Sequence, residues 1–128
     1  ATIDSASIDH ASFVRLSSVP STPTELWLIA RFQDPANYYR FGFDVEGNLV
    51  LSNVTAGEAP VLRNYFKSHG AQVAGMDLGI ECSGTNISLF CNGRLIDTLT
   101  DSSNVSGTRV GLQCVSADVR FRDFRFRE

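Results

Sequence analysis

The chain has 128 residues, a formal net charge of −3 and three cysteines, which suits a single domain, residues 1–128, built around one core. The acidic balance gives no reason to expect nucleic acid or an anionic membrane surface as partner, because both select for basic excess. No apolar run approaches the roughly 18 to 20 residues needed for a membrane span, and the opening residues lack the basic and apolar stretches of a secretion signal. The expectation is a soluble chain that is either processed or part of a longer protein.

Residues 1–24 are polar and predict a loosely ordered or edge-strand segment. It holds a short candidate strand at residues 11–16, and Pro20 and Pro23 mark a loop that cannot join a central strand. Residues 25–32 and 38–45 are two strands joined by Gln33-Asp34-Pro35-Ala36-Asn37, a connection rich in turn formers. Glu46-Gly47-Asn48 turns the chain into a third strand at residues 49–54, completing a meander. Val61-Leu62-Arg63-Asn64-Tyr65-Phe66 fits a strand better than a single helical turn.

The stretch from Leu78 to Arg94, followed by Val110-Gly111-Leu112 and Val119-Arg120-Phe121, reads as four consecutive antiparallel strands. Gly84 and Asn92-Gly93 supply the positive φ that tight hairpins demand. Val119 and Phe121 alternate in one phase and Phe124 and Phe126 in the other. A β-bulge near Arg122-Asp123 would bring all four onto the core face by absorbing one residue. About nine or ten short strands at this spacing, with nine Phe and a single Met to fill the core, predict an all-β antiparallel β-sandwich.

Cys82, Cys91 and Cys114 each sit two residues from apolar neighbours, the pattern of cysteines used as small core hydrophobes. A bridge from Cys114 to Cys82 or to Cys91 is the alternative, and no Cys-x-x-Cys or His-paired spacing marks a zinc site. Arginines at 109, 120, 122, 125 and 127 crowd the end of the chain, while Asp4, Asp9 and Glu25 lie near its start. Pairing of the first and last strands would set these charges opposite one another. His10 and His69 lie in irregular segments with no Ser or Cys motif nearby, and are expected to be exposed loop residues.

Several stretches taken together resemble a known family: Trp27-Leu28-Ile29-Ala30-Arg31-Phe32-Gln33-Asp34, Asn37-Tyr38-Tyr39-Arg40-Phe41, Glu81-Cys82-Ser83-Gly84 and Ile87-Ser88-Leu89-Phe90-Cys91-Asn92-Gly93. Gly107 and Val110-Gly111-Leu112 extend the likeness. The family is the concanavalin A-like lectin/glucanase superfamily, and the nearest likeness is to its laminin G-like and keto-disaccharide-hydrolase-like modules. The resemblance covers residues 25–126 and implies a concanavalin A-like jelly roll. It further implies that one sheet carries polar and aromatic residues where sugars bind, and that the chain is extracellular or at the cell surface.

If Tyr39, Phe41, Phe43 and Val45 point inward, alternation puts Tyr38, Arg40 and Asp44 on the opposite face. A Tyr ring stacks on the apolar face of a pyranose, while Arg and Asp make charge-assisted hydrogen bonds to its hydroxyls. Arg31, on the adjacent strand, is expected to join them, so the candidate ligand-binding set is Arg31, Tyr38, Arg40 and Asp44. The plainer reading is an Arg–Asp surface pair beside a partly exposed Tyr. Trp27, the sole tryptophan, is either a second sugar platform or a core residue.

Catalysis by paired carboxylates needs two acids on one surface, and the Glu-x-Asp-x-x-Glu arrangement expected of a glucanase in this superfamily does not occur. No catalytic residue and no enzyme activity are expected. Calcium is common in the superfamily, and Asp34 with Asn37 or Asp97 with Asp101 would contribute ligands. Neither loop shows a ligand pattern, so no cofactor is expected. Asn53, Asn86 and Asn104 begin Asn-x-Ser/Thr triplets, a compositional hint of a secretory protein. These residues describe a non-catalytic, lectin-like module whose partner is a carbohydrate or glycoconjugate. The rival is a structural or protein-interaction module that presents its edges and loops to another protein chain.

Overall fold

The computed structural model describes residues 2–4, 7–18, 25–68, 75–102, 106–114 and 120–127. Pro20, Pro23, His69, Asn104 and Val119, on which expectations fell, lie outside these. Eleven strands are present among the described residues: β1 (Thr2–Asp4), β2 (His10–Ser18), β3 (Leu26–Asp34), β4 (Asn37–Phe43), β5 (Leu49–Val54), β6 (Val61–Phe66), β7 (Asp77–Ser83), β8 (Asn86–Cys91), β9 (Arg94–Thr100), β10 (Arg109–Cys114) and β11 (Arg120–Arg127). They form a six-stranded sheet in the order β1-β10-β3-β4-β5-β6 and a five-stranded sheet in the order β11-β2-β7-β8-β9. Every pairing within the two sheets is antiparallel.

Local chemistry explains the meanders. Asp34 Oδ1 accepts the Ala36 N–H at 2.8 Å and so closes the β3–β4 turn, which is tighter than the five-residue connection expected. Asp44 Oδ1 accepts the N–H groups of Glu46 and Asn48, and Gly47 takes a φ of 82° to complete the next turn. Asn92 and Gly93, at φ 54° and 79°, form the left-handed pair that matches the twist of the β8–β9 hairpin. Val61–Phe66 is a strand on the edge of the six-stranded sheet.

The expected run of four consecutive strands near the C-terminus needs correcting. The region holds five strands, and only β7, β8 and β9 lie side by side in sequence order. The hairpins among those three have two-residue turns. The longer connection after Thr100 instead carries the chain across to the other sheet, where β10 inserts between β1 and β3. β11 returns to pair with β2, so the N-terminal segment supplies both an edge strand, β1, and an interior one, β2. Asp4 stands opposite Arg109 in the β1–β10 register. Across the other sheet, Asp77 faces Arg15 at 3.0 Å and Arg125 at 3.6 Å.

The core lies between the sheets. Leu26, Leu28, Ala30, Tyr39, Phe41, Phe43, Leu49 and Leu51 face Val14, Leu16, Leu78, Ile80, Ile87, Leu89 and Leu99. Truncating a buried Phe of this kind to Ala costs about 3–5 kcal/mol, so β4 alone carries much of the domain's margin of stability. Val45, expected inside, is exposed because the strand ends at Phe43 and the turn begins. Cys82 and Cys91 are core residues, whereas Cys114 is exposed, and none of the three forms a disulfide. Burial pushes the Cys82 thiol up to about 12, leaving it without reactive thiolate at neutral pH.

The bulge foreseen in the last strand occurs where the phase of the apolar residues changes. The β11–β2 register shifts between Arg122 and Arg125, and Asp123 takes a φ of 55°. Phe124 packs against the core, but Phe126 remains exposed at the rim.

His10 is not the exposed loop residue that its polar surroundings suggested. It begins β2 with its ring buried, and it fastens the two sheets together. The Arg31 N–H on β3 can only donate, so His10 Nε2 accepts it at 3.1 Å, and His10 Nδ1 carries the proton given to the Ser7 carbonyl at 3.0 Å. Burial lowers the His10 pKa below 6.5, and the nearby Arg31 charge pushes the same way, against the Ser7 hydrogen bond and Asp9.

A depressed folded-state pKa gives stability that is complete above the unfolded value of 6.5 and is lost as pH falls through the lower folded value. Urea unfolding should therefore show stability falling as pH drops below 6.5, with a slope of at most about 1.4 kcal/mol per pH unit from this one proton, and levelling off below the folded value. His10→Gln, which stays neutral, should flatten this part of the profile. An unchanged profile in the variant would remove His10 as its cause.

Candidate functional site

With Tyr39, Phe41 and Phe43 committed to the core, strand alternation sends Tyr38, Arg40 and Gly42 to the outer face of the six-stranded sheet. The registers place Ile29 and Ser52 on either side of Arg40, Trp27 and Val50 on either side of Gly42, and Val54 beside Tyr38. Ile29, Val50, Ser52 and Val54 are buried, so Tyr38 and Arg40 rise from a floor that water does not reach.

The Arg40 guanidinium carbon lies over the Trp27 ring, 4.1 Å from its centroid. Trp27 is only 2% exposed, so it is the buried residue that one of the two readings expected, although it lies on the outer face of its sheet, outside the main cluster between the sheets and against Arg40. Gly42 permits the close approach of β3 and β4 at this point, because a Cβ there would stand 2.0 Å from the Leu26 carbonyl oxygen. Among the described residues no hydrogen bond holds the Arg40 guanidinium, and its buried Nε has no partner. A cation–π contact is worth about 0.5–2 kcal/mol, enough to orient the group while its donors stay unspent.

Tyr38 has an aromatic neighbour outside the candidate set. The Phe32 ring lies 5.4 Å away, tilted by 38°. The signal was present in the hairpin, since a turn at Pro35-Ala36 brings the end of β3 back beside the start of β4.

The other two candidate residues are placed differently. Asp44 follows β4 and spends its Oδ1 on two turn N–H groups, at 3.0 and 2.9 Å, so it organises the β4–β5 turn. Arg31 does not join Tyr38 and Arg40. It takes a φ of 48° in a β-bulge, which breaks the alternation of β3 and leaves the whole side chain at 0% exposure. Its Nε donates to the Ile8 carbonyl at 2.7 Å and its Nη2 meets Asp9 Oδ1 at 3.2 Å. This is a structural arginine at the end of the sandwich, and no ligand on the outer face reaches it.

The acids considered for calcium are engaged within the protein. Asp34 holds its own turn and Asn37, Asp97 accepts from the Tyr65 hydroxyl, and Asp101 accepts from the Tyr39 hydroxyl. Among the described residues there is no group of three or more His, Cys, Asp or Glu placed to hold a metal ion. Of the Asn-x-Ser/Thr triplets within the described residues, Asn53 is buried and Asn86 is exposed beside the β7–β8 turn.

No family model matches the chain, and no curated protein is similar to it in sequence. Solved structures do share its fold. The carbohydrate binding module CBM66 from Bacillus subtilis superposes with a TM-score of 0.77 at 19% identity, over 100% of this chain and 78% of that one. Sheep galectin-11, solved with glycerol, gives 0.73 at 11% identity over 98% and 96% of the two chains. The Caenorhabditis elegans galectin LEC-6 gives 0.67 at 15% identity over 100% and 90%. The fold is the concanavalin A-like jelly roll. Within this jelly roll, residues 1–24 supply β1 to one sheet and β2 to the other, so the candidate strand at residues 11–16 lies within β2 and β3 is preceded by two strands.

The stacked pair has a direct readout, because Trp27 is the only tryptophan. Arg40→Ala should uncover the indole, shift its emission to longer wavelength and raise its acrylamide quenching at least about twofold. The loss of stability should be no more than about 2 kcal/mol. Unchanged quenching would mean that Arg40 does not shield the ring.

Proposed function

We propose that this domain is a non-catalytic carbohydrate-binding module that holds its glycan on the outer face of the six-stranded sheet. One observation carries the reading. Arg40 is fixed by the Trp27 ring beneath it, with its hydrogen-bond donors uncommitted among the described residues, and Tyr38 stands two residues away on the same face. A ring hydroxyl or ring oxygen of a saccharide accepts from the guanidinium, while the Tyr38 and Phe32 rings offer apolar surface to its C–H face. Such a site binds and does not cleave, because the acid nearest in sequence, Asp44, is taken up by its turn.

The carbohydrate-binding module and the galectins that share the fold support the choice of ligand class. Binding is proposed to be independent of calcium, since the candidate acids are held by protein donors. An extracellular or cell-surface setting follows from a glycan partner. A protein-interaction role has one observation of its own: Val61 and Phe66 on β6 and Leu95 on β9 are exposed, on strands that form edges of the two sheets.

A glycan-array screen of the purified domain tests the proposal. The expected result is binding to a restricted set of glycans that survives EDTA. It should drop at least about tenfold in a Tyr38→Ala/Arg40→Ala double variant that circular dichroism shows to be folded. Silence across the array, with light scattering showing a dimer or larger species, would favour the edge-strand reading instead.

A further inference from the structure

The five-stranded sheet also carries a built cavity on its outer face. Its volume is about 240 Å³, and its walls include Phe13, Phe90, Asp77, Gly79, Gly93 and Arg125. Three features set it apart from an ordinary dent in a sheet surface.

First, Phe13, Gly79 and Phe90 lie side by side on β2, β7 and β8. The central residue has no side chain, and the Phe13 ring occupies that space, since a Cβ on Gly79 would come within 2.3 Å of it. The Phe13 and Phe90 ring centroids are 5.6 Å apart with planes inclined by 55°, which forms an angled aromatic wall. Second, the rim is charged. The Arg125 guanidinium carbon lies 5.8 Å from the Phe13 ring centroid, and Arg125 Nη1 donates to the Asp123 carbonyl at 2.8 Å.

Third, the Asp77 carboxylate is only half used. Its Oδ2 accepts from Arg15 at 3.0 Å, but its Oδ1 has no hydrogen bond among the described residues. Arg125 Nη2 stands 3.6 Å from that oxygen, beyond a good hydrogen bond and too close for a water to sit between them. Arg125 is half-exposed. A hydroxyl group that took the place of its Nη2 beside Asp77 would donate to Asp77 Oδ1 and accept from Arg125, satisfying both.

We infer that this cavity is a second saccharide site, sized for one sugar ring. The ring's C–H face rests on Phe13 and Phe90, and one of its hydroxyls bridges Asp77 and Arg125. Drug-sized ligands need cavities of about 300–1,000 Å³, so a single ring suits this one and a longer oligosaccharide would extend into solvent. The site stands on this face alone and holds whatever the opposite sheet binds. With a ligand on each outer face, the domain is bivalent and able to cross-link two glycan chains.

The experiment is an amide-resolved NMR titration of the whole domain with a panel of methyl hexopyranosides and methyl pentopyranosides. Saturable shifts at the Gly79 and Gly93 amides with at least one of them are expected. These shifts should persist in the Tyr38→Ala/Arg40→Ala variant, which separates the two faces. Phe90→Ala should weaken the binding at least about tenfold. If Phe90→Ala does not fold, Phe90→Leu keeps most of the volume without the aromatic face and carries the same expectation. No shift at Gly79 and Gly93 with any glycoside would overturn the inference, and so would shifts produced by p-cresol alone, which would make the cavity a seat for an aromatic side chain.

Discussion

Alternation along β4 is the constraint on which the rest of this molecule depends. Seven residues, Asn37–Phe43, place Tyr39, Phe41 and Phe43 in the core and Tyr38, Arg40 and Gly42 outside. A slip of one residue would exchange these sets, burying an arginine and exposing three aromatic rings. The turns at either end prevent that slip. Asp34 pins the β3–β4 connection and Asp44 the β4–β5 connection, each through backbone N–H groups accepted by its own carboxylate. The same residues that give the sandwich its core therefore fix which side chains face outward.

Arg31 and Arg40 show how one residue type serves two ends. Arg31 is sealed at the end of the sandwich, where the Ile8 carbonyl and Asp9 offset the desolvation of its charge and His10 holds its backbone. Arg40 instead spreads over Trp27, a contact that screens the indole from water without consuming donors. A planar, weakly hydrated cation suits both places, and a lysine would serve neither equally well.

Where the sequence was legible, a local rule governed. The phase change between Phe121 and Phe124 announced the bulge at Asp123, Asn92-Gly93 announced a hairpin, and alternation announced the outward face of Tyr38 and Arg40. Where it was not legible, the deciding geometry was nonlocal or broke a rule. Nothing in the residues around Arg31 signals a positive φ, and that single backbone angle removed it from the candidate site. His10 looked like a loop residue until β3 supplied its N–H partner from twenty-one positions away. The crossing of β10 to the other sheet, where it pairs with β1 and β3, is a nonlocal pairing that no local pattern encodes. The Phe13–Gly79–Phe90 row has the same origin, since three unremarkable residues become neighbours only through the β2–β7–β8 register.

The central claim is that a glycan settles on the face built by Tyr38 and Arg40, directly above the sole tryptophan. Isothermal calorimetry and Trp27 emission, followed on the same titration with a panel of oligosaccharides, test it most directly. Any sugar whose heats disappear in Arg40→Ala is expected to change Trp27 emission in the parent domain, with the same midpoint by both methods. Heats that survive in that variant, accompanied by silent Trp27 emission for every sugar, would contradict it.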